Sequence, residues 1–114
     1  MQRDIEPLKG LYALFNARDI DGVLASLHPE VAWANGMEGG HVHGYDGVRS
    51  YWTRQWAMID PRVEPKSFSI DEAGTIEVEV HQVVRDLKGT LLIDQTVKHL
   101  FQYRDGLVVR FDIG

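Results

Sequence analysis

The sequence predicts an α+β domain in which helix, helix, strand and a third helix precede four antiparallel strands. Three observations carry this. Apolar residues recur at helical spacing in the first half of the chain, alternate at strand spacing in the second half, and are separated there by glycine-centred turns.

Ile5, Leu8, Leu11, Tyr12 and Phe15 fall at three- and four-residue steps, so residues 5–18 read as an amphipathic helix with one face of large apolar groups. Asp19 is placed to cap a short second helix carrying Val23, Leu24 and Leu27. That helix is expected to stop at His28–Pro29, because proline disfavours helical geometry in the residue before it. Residues 31–35 alternate, with Val31, Trp33 and Asn35 on one face, and Gly36, Gly39, Gly40 and Gly44 break the next stretch into turns around His41 and His43. Val48, Tyr51, Trp52, Gln55, Trp56 and Ile59 then mark a third helix, with Pro61 as its expected end. Residues 63–71, 76–86, 91–103 and 107–113 read as strands separated by Ala73–Gly74, Lys88–Gly89 and Asp105–Gly106.

A two-residue turn at Lys88–Gly89 sets a register that makes chemical sense. Glu79 then faces Lys98, Val80 faces Val97, Val84 faces Ile93 and Val78 faces His99. Gln82, Gln95, His99 and Phe101 share the inner face in this register, whereas a one-residue slip or bulge would turn His81 inward instead of Gln82. Three helices cannot fill the concavity of so long a sheet, so a pocket is expected under them.

At 114 residues, 44% hydrophobic and 25% charged, the chain has the composition of one packed domain, residues 1–114. A net charge of −5 offers no basic surface for a phosphate backbone, so nucleic acid is not an expected partner. No apolar run approaches the ~20 residues that span a bilayer, and the charged start from Met1 to Glu6 is unlike a signal peptide. With no cysteine there is no disulfide or thiolate chemistry, and a reducing cytoplasm fits best.

Four segments resemble one family in order and spacing. They are residues 11–21 (Leu11-Tyr12-Ala13-Leu14-Phe15-Asn16-Ala17-Arg18-Asp19-Ile20-Asp21), Leu27-His28-Pro29-Glu30-Val31-Ala32-Trp33, His43-Gly44-Tyr45-Asp46-Gly47-Val48, and Phe101 through Val108 with its Asp105–Gly106 turn. The chain is similar over its whole length to the nuclear transport factor 2-like superfamily, and within it to small SnoaL-like and ketosteroid-isomerase-like domains. The resemblance implies a cone: a curved antiparallel sheet wrapped around N-terminal and central helices, cystatin-like, with an apolar pocket at the open end and frequent dimerisation through the sheet. In the steroid isomerases a first-strand carboxylate is the general base. The matching position is Asn35, which cannot take a proton. Their oxyanion-hole tyrosine falls at Leu11, one residue from Tyr12, and their second oxyanion acid at His99 or Lys98 according to the turn counted from. Strand alternation favours His99. Steroid-isomerase activity is therefore expected to be absent, and the Asp-Arg-Asp relay of the epoxide hydrolases has no inward-facing counterpart.

The candidate catalytic residues are His99, whose imidazole can carry a proton near pH 7, and Asn35, which can orient a ligand carbonyl. Each has a structural alternative. His99 can be a buried histidine bonded to Gln95, Gln82 or Tyr12, and Asn35 can satisfy backbone groups at a strand end. Tyr12, Phe15, Trp33, Trp52, Gln55, Trp56, Gln82, Gln95 and Phe101 are the expected ligand-binding residues. His41 and His43 point the same way from a strand, but no spacing supplies a third and fourth ligand, so no metal or cofactor is expected. Two function classes follow: a binding module for a small apolar or aromatic metabolite, and an enzyme of the isomerase, cyclase or dehydratase kind with His99 as proton carrier. Leu92, Leu100 and Val108, read as apolar yet outward-facing, suggest a homodimer through the outer sheet face.

Overall fold

A computed structural model describes residues 2–114; Met1, where the charged start begins, lies outside them. The elements are α1 (Gln2–Asn16), α2 (Ile20–Leu24), β1 (Leu27–Ala34), β2 (His41–His43), α3 (Gly44–Trp56), β3 (Ile59–Ile70), β4 (Ile76–Asp86), β5 (Leu91–Arg104) and β6 (Leu107–Ile113). Asp19 caps α2 as expected, its carboxylate accepting from the Gly22 amide at 2.9 Å. The helix stops earlier than expected, at Leu24, and β1 takes up Leu27, His28 and Pro29. Pro61 likewise does not end α3. It stands inside β3, opposite Val84, and Pro65 lies in the same strand. Because β3 is the edge of the sheet, a missing N–H there costs little.

The six strands run in the order β2-β1-β6-β5-β4-β3. The sheet is mixed rather than wholly antiparallel, because β1 and β6 pair in parallel, with Trp33 beside Phe111. The expected β4–β5 register is present, with Val78 opposite His99, Val80 opposite Val97, Gln82 opposite Gln95 and Val84 opposite Ile93. The turn that sets it is different. Asp86 and Thr90 close a three-residue loop with Gly89 at φ 94°, and a bulge between Val84 and Arg85 then restores the register. Glu79 does face Lys98, although the ammonium group comes within 3.9 Å of the diagonal Glu77.

All three helices lie on one face of the sheet. α1 buries Leu8, Leu11 and Tyr12, and α3 buries Val48, Tyr51 and Trp52. Beneath them the row Trp33, Phe111, Phe101 and Ile76 crosses β1, β6, β5 and β4. Val108 belongs to this core and is fully buried, so it is not part of an outward apolar face; Leu92 is exposed and Leu100 half-buried. Asp19→Ala is expected to remove the α2 cap and lower stability by about 1 kcal/mol, measured by urea denaturation.

Candidate functional site

Burial of an imidazole in mid-sheet requires a partner, and α1 supplies it. His99 sits on β5 between Val78 of β4 and Ile113 of β6. Its Nδ1 lies 2.7 Å from the Tyr12 hydroxyl, and the two rings are within 7° of parallel. Phe111 meets the His99 ring edge-on at 4.8 Å. Burial lowers the His99 pKa to about 4, and burial, with Tyr103 nearby, raises that of the Tyr12 phenol. Both groups are therefore neutral around pH 7. Whichever of them donates in their shared hydrogen bond, the pair keeps one further donor and one further acceptor.

Over this pair the helices leave a cavity of about 330 Å³. Its floor is Trp33, His99, Phe101 and Phe111 from the sheet, and its roof is Leu11, Tyr12 and Phe15 from α1 with Tyr51, Trp52 and Gln55 from α3. Trp33 meets Trp52 edge-on at 5.2 Å and stacks on Phe111 at 4.1 Å. Met37, Ile93 and Ile113 line the cavity yet stay exposed, which puts them at its mouth. None of the lining residues is Asp, Glu, Lys or Arg.

Of the residues read from the sequence, Tyr12, Phe15, Trp33, Trp52, Gln55, Gln82, His99 and Phe101 line the cavity. Three do not. Gln95 is exposed and donates to Gln82 Oε1 at 3.2 Å, since the inner face of the hairpin runs out past the cover of the helices. Trp56 packs behind the wall, against Phe15 and Trp52 with the Arg18 guanidinium over its ring. Asn35 is buried, but its amide is spent on the 35–40 turn. Oδ1 accepts from the Met37 and Glu38 amides at 3.0 and 2.8 Å, and Nδ2 donates to Glu38 Oε1. The alternative reading of Asn35, as a satisfier of backbone groups at a strand end, describes these contacts.

Gln82 rather than His81 faces the cavity; His81 pairs with Asp94 at 2.7 Å on the outer face. His41 pairs with Asp112 at 2.7 Å, and His43 is the residue before α3. Among the described residues no three His, Asp or Glu side chains cluster to hold a metal ion. Tyr51, read from the sequence only as part of the α3 stripe, also lines the cavity. Its position in the α3 stripe, one residue before Trp52 and four before Gln55, was the available signal.

Residues 8–111 match the family model of the SnoaL-like domain. The chain belongs to the SnoaL-like domain family. No curated protein matches it significantly. Among solved structures, this SnoaL-like chain is 29% identical to TerC co-crystallised with polyporic acid, with a TM-score of 0.84 over 97% of this chain and 89% of that one. It is 28% identical to a nuclear transport factor 2-like protein of unknown function from Burkholderia pseudomallei, at TM-score 0.86 over 100% and 91%. A proposed polyketide cyclase from Xanthomonas campestris has the same fold at 23% identity and TM-score 0.80, over 98% and 89%.

Two outcomes are expected of the free protein. The unfolded chain binds a proton at His99 below its usual pKa of 6.5, whereas the folded protein holds off until about 4. Stability contributed by neutral His99 is therefore complete above pH 6.5 and falls towards pH 4, by at most about 1.4 kcal/mol per pH unit. His99→Gln should flatten that slope, and an NMR titration should find His99 neutral until the pH falls to about 4. Asn35→Ala should lower stability by about 1–2 kcal/mol in denaturant melts, because two turn amides lose their acceptor.

Proposed function

We propose that this SnoaL-like domain binds a small, uncharged aromatic carbonyl compound in the cavity, with the His99–Tyr12 pair as its polar contact. The neutral hydrogen-bonded pair at the foot of an aromatic cavity without charged lining carries the reading. Aromatic walls reward a planar ligand by offset and edge-on stacking. A buried charge without a counter-charge is costly, so an acidic ligand would enter in its neutral form. The pair supplies the donor that a carbonyl oxygen needs. TerC, 29% identical to this chain, was co-crystallised with polyporic acid, which supports a small-molecule ligand.

A second reading, proton transfer as in an isomerase or cyclase, is favoured by the same pair. A proton accepted at one end can be matched by one released at the other, with the Tyr12–His99 hydrogen bond reversing direction and neither ring becoming charged. The protein is further proposed to be cytoplasmic, consistent with its lack of cysteine, and to be a homodimer that covers the exposed Leu92 and the half-buried Leu100. A monomer mass in light scattering at tens of micromolar would remove the dimer.

Calorimetric titration tests the binding reading. α-Tetralone should bind and α-naphthoate, an anion at neutral pH, should not; His99→Phe should weaken the ketone about tenfold. Equal binding of ketone and carboxylate would overturn it. Exchange of the α-hydrogens of α-tetralone in heavy water, accelerated by the protein but not by His99→Phe, would mark the catalytic reading.

A further inference from the structure

The chain has two asparagines, Asn16 and Asn35, and only Asn35 is followed by glycine. Such a pair can modify itself, because a residue without a Cβ gives its backbone nitrogen a clear approach to the preceding side-chain carbonyl. The Gly36 nitrogen loses its proton to solvent base and bonds to Asn35 Cγ. The Cγ–Nδ2 bond then breaks, and Nδ2 leaves as ammonia after taking a proton from water. A second water opens the resulting cyclic imide at either carbonyl, giving aspartate or isoaspartate at position 35. The net change is one water consumed and one ammonia released. Gly36 is exposed, so base and water reach this peptide.

The fold acts on the two reacting atoms in opposite directions. Asn35 Oδ1 accepts from the Met37 and Glu38 amides at 3.0 and 2.8 Å, donors that draw electron density from Cγ and would hold the oxyanion formed as nitrogen adds. The electrophile is poised. The nucleophile is restrained, because the Gly36 N–H donates to Tyr51 Oη at 3.0 Å, a bond that stabilises the protonated nitrogen and fixes the plane of its peptide. Tyr51 is itself held, buried on α3 and accepting from Gln55 Nε2 at 3.2 Å. Burial raises its pKa, so its oxygen is a neutral acceptor and not a base for the Gly36 proton. We propose that Asn35–Gly36 is a self-modification site and that the Tyr51 hydroxyl is its brake, ring closure waiting on the opening of the Gly36–Tyr51 bond. The consequence falls on the cavity, since Gly36 and Met37 line it. Aspartate at position 35 lacks the Nδ2 donor given to Glu38 and sets a second carboxylate beside it, and isoaspartate reroutes the backbone through the former side chain next to Gly36.

The test follows conversion at position 35 by peptide mass mapping of protein kept in mildly alkaline buffer, with Asn16 as the internal reference. Folded wild-type protein should convert at least about tenfold more slowly than the same chain in guanidinium chloride. Tyr51→Phe should speed conversion of the folded protein about fivefold to tenfold and leave the rate in denaturant unchanged. Asp19→Ala, which weakens the fold away from this turn, should stay within about twofold of the wild type, so a general loosening is told apart from a lost brake. Hydrogen exchange of the Gly36 amide in the wild type reports without any variant, and decides if Tyr51→Phe does not fold: protection of at least about tenfold over the unfolded chain is expected. Conversion as fast folded as unfolded, a rate unmoved by Tyr51→Phe, a rate raised as much by Asp19→Ala, or an unprotected Gly36 amide overturns the proposal.

Discussion

The hydrogen bond between Tyr12 and His99 is the contact around which the site is organised. An imidazole placed between Val78 and Ile113 has lost its water, and the cost of an unpaired ring nitrogen there is comparable to the whole gain from a neighbouring apolar contact. The partner has to come from above the sheet, and α1 brings it. That one bond ties α1 to β5 and, with burial keeping both groups neutral, keeps polar capacity at the bottom of an otherwise aromatic space.

Much of this was legible in the sequence because it follows from periodicity. Strand parity, with the register of an assumed two-residue turn, placed His99, Phe101 and Gln82 on one face, and the helical stripes placed Tyr12, Phe15 and Trp52 opposite them. The register survived a wrong turn assignment because the extra loop residue and the bulge cancel. What was not legible depended on position within the sheet rather than on pattern. Pro61 stops a helix in isolation, but an edge strand accommodates it, and the sequence does not say which strand is the edge. Val108 alternates as an outward residue if β6 is read alone. The shift between Gln102 and Tyr103 in the β5–β6 pairing changes that count, and the residue faces the core.

The fate of Asn35 has a similar cause. Parity put it inward with Trp33, and it is indeed buried, but burial of a short amide beside a glycine-rich turn is answered locally. Its oxygen and nitrogen are closer to backbone amides and to Glu38 than to the cavity, and local bonds form without the entropy of ordering a distant partner. Tyr51, part of the α3 stripe, is absent from the expected site residues for the opposite reason. A tyrosine in a helical apolar stripe reads as core, and only the Gly36 amide, which donates to its oxygen, ties it to the 35–40 turn.

The parallel pairing of β1 with β6 also governs when this protein can become itself during synthesis. β1 is made early, yet its ladder partners are the three residues of β2 and a strand that comes last in sequence order. Until β6 has left the ribosome, Trp33 lacks the Phe111 ring on which it stacks, and the aromatic floor is open on one side. A contact spanning most of the chain forms slowly, because a long loop must close before the contact repays it. Closure of the tryptophan-rich interior consequently rests on one strand slotting between two others.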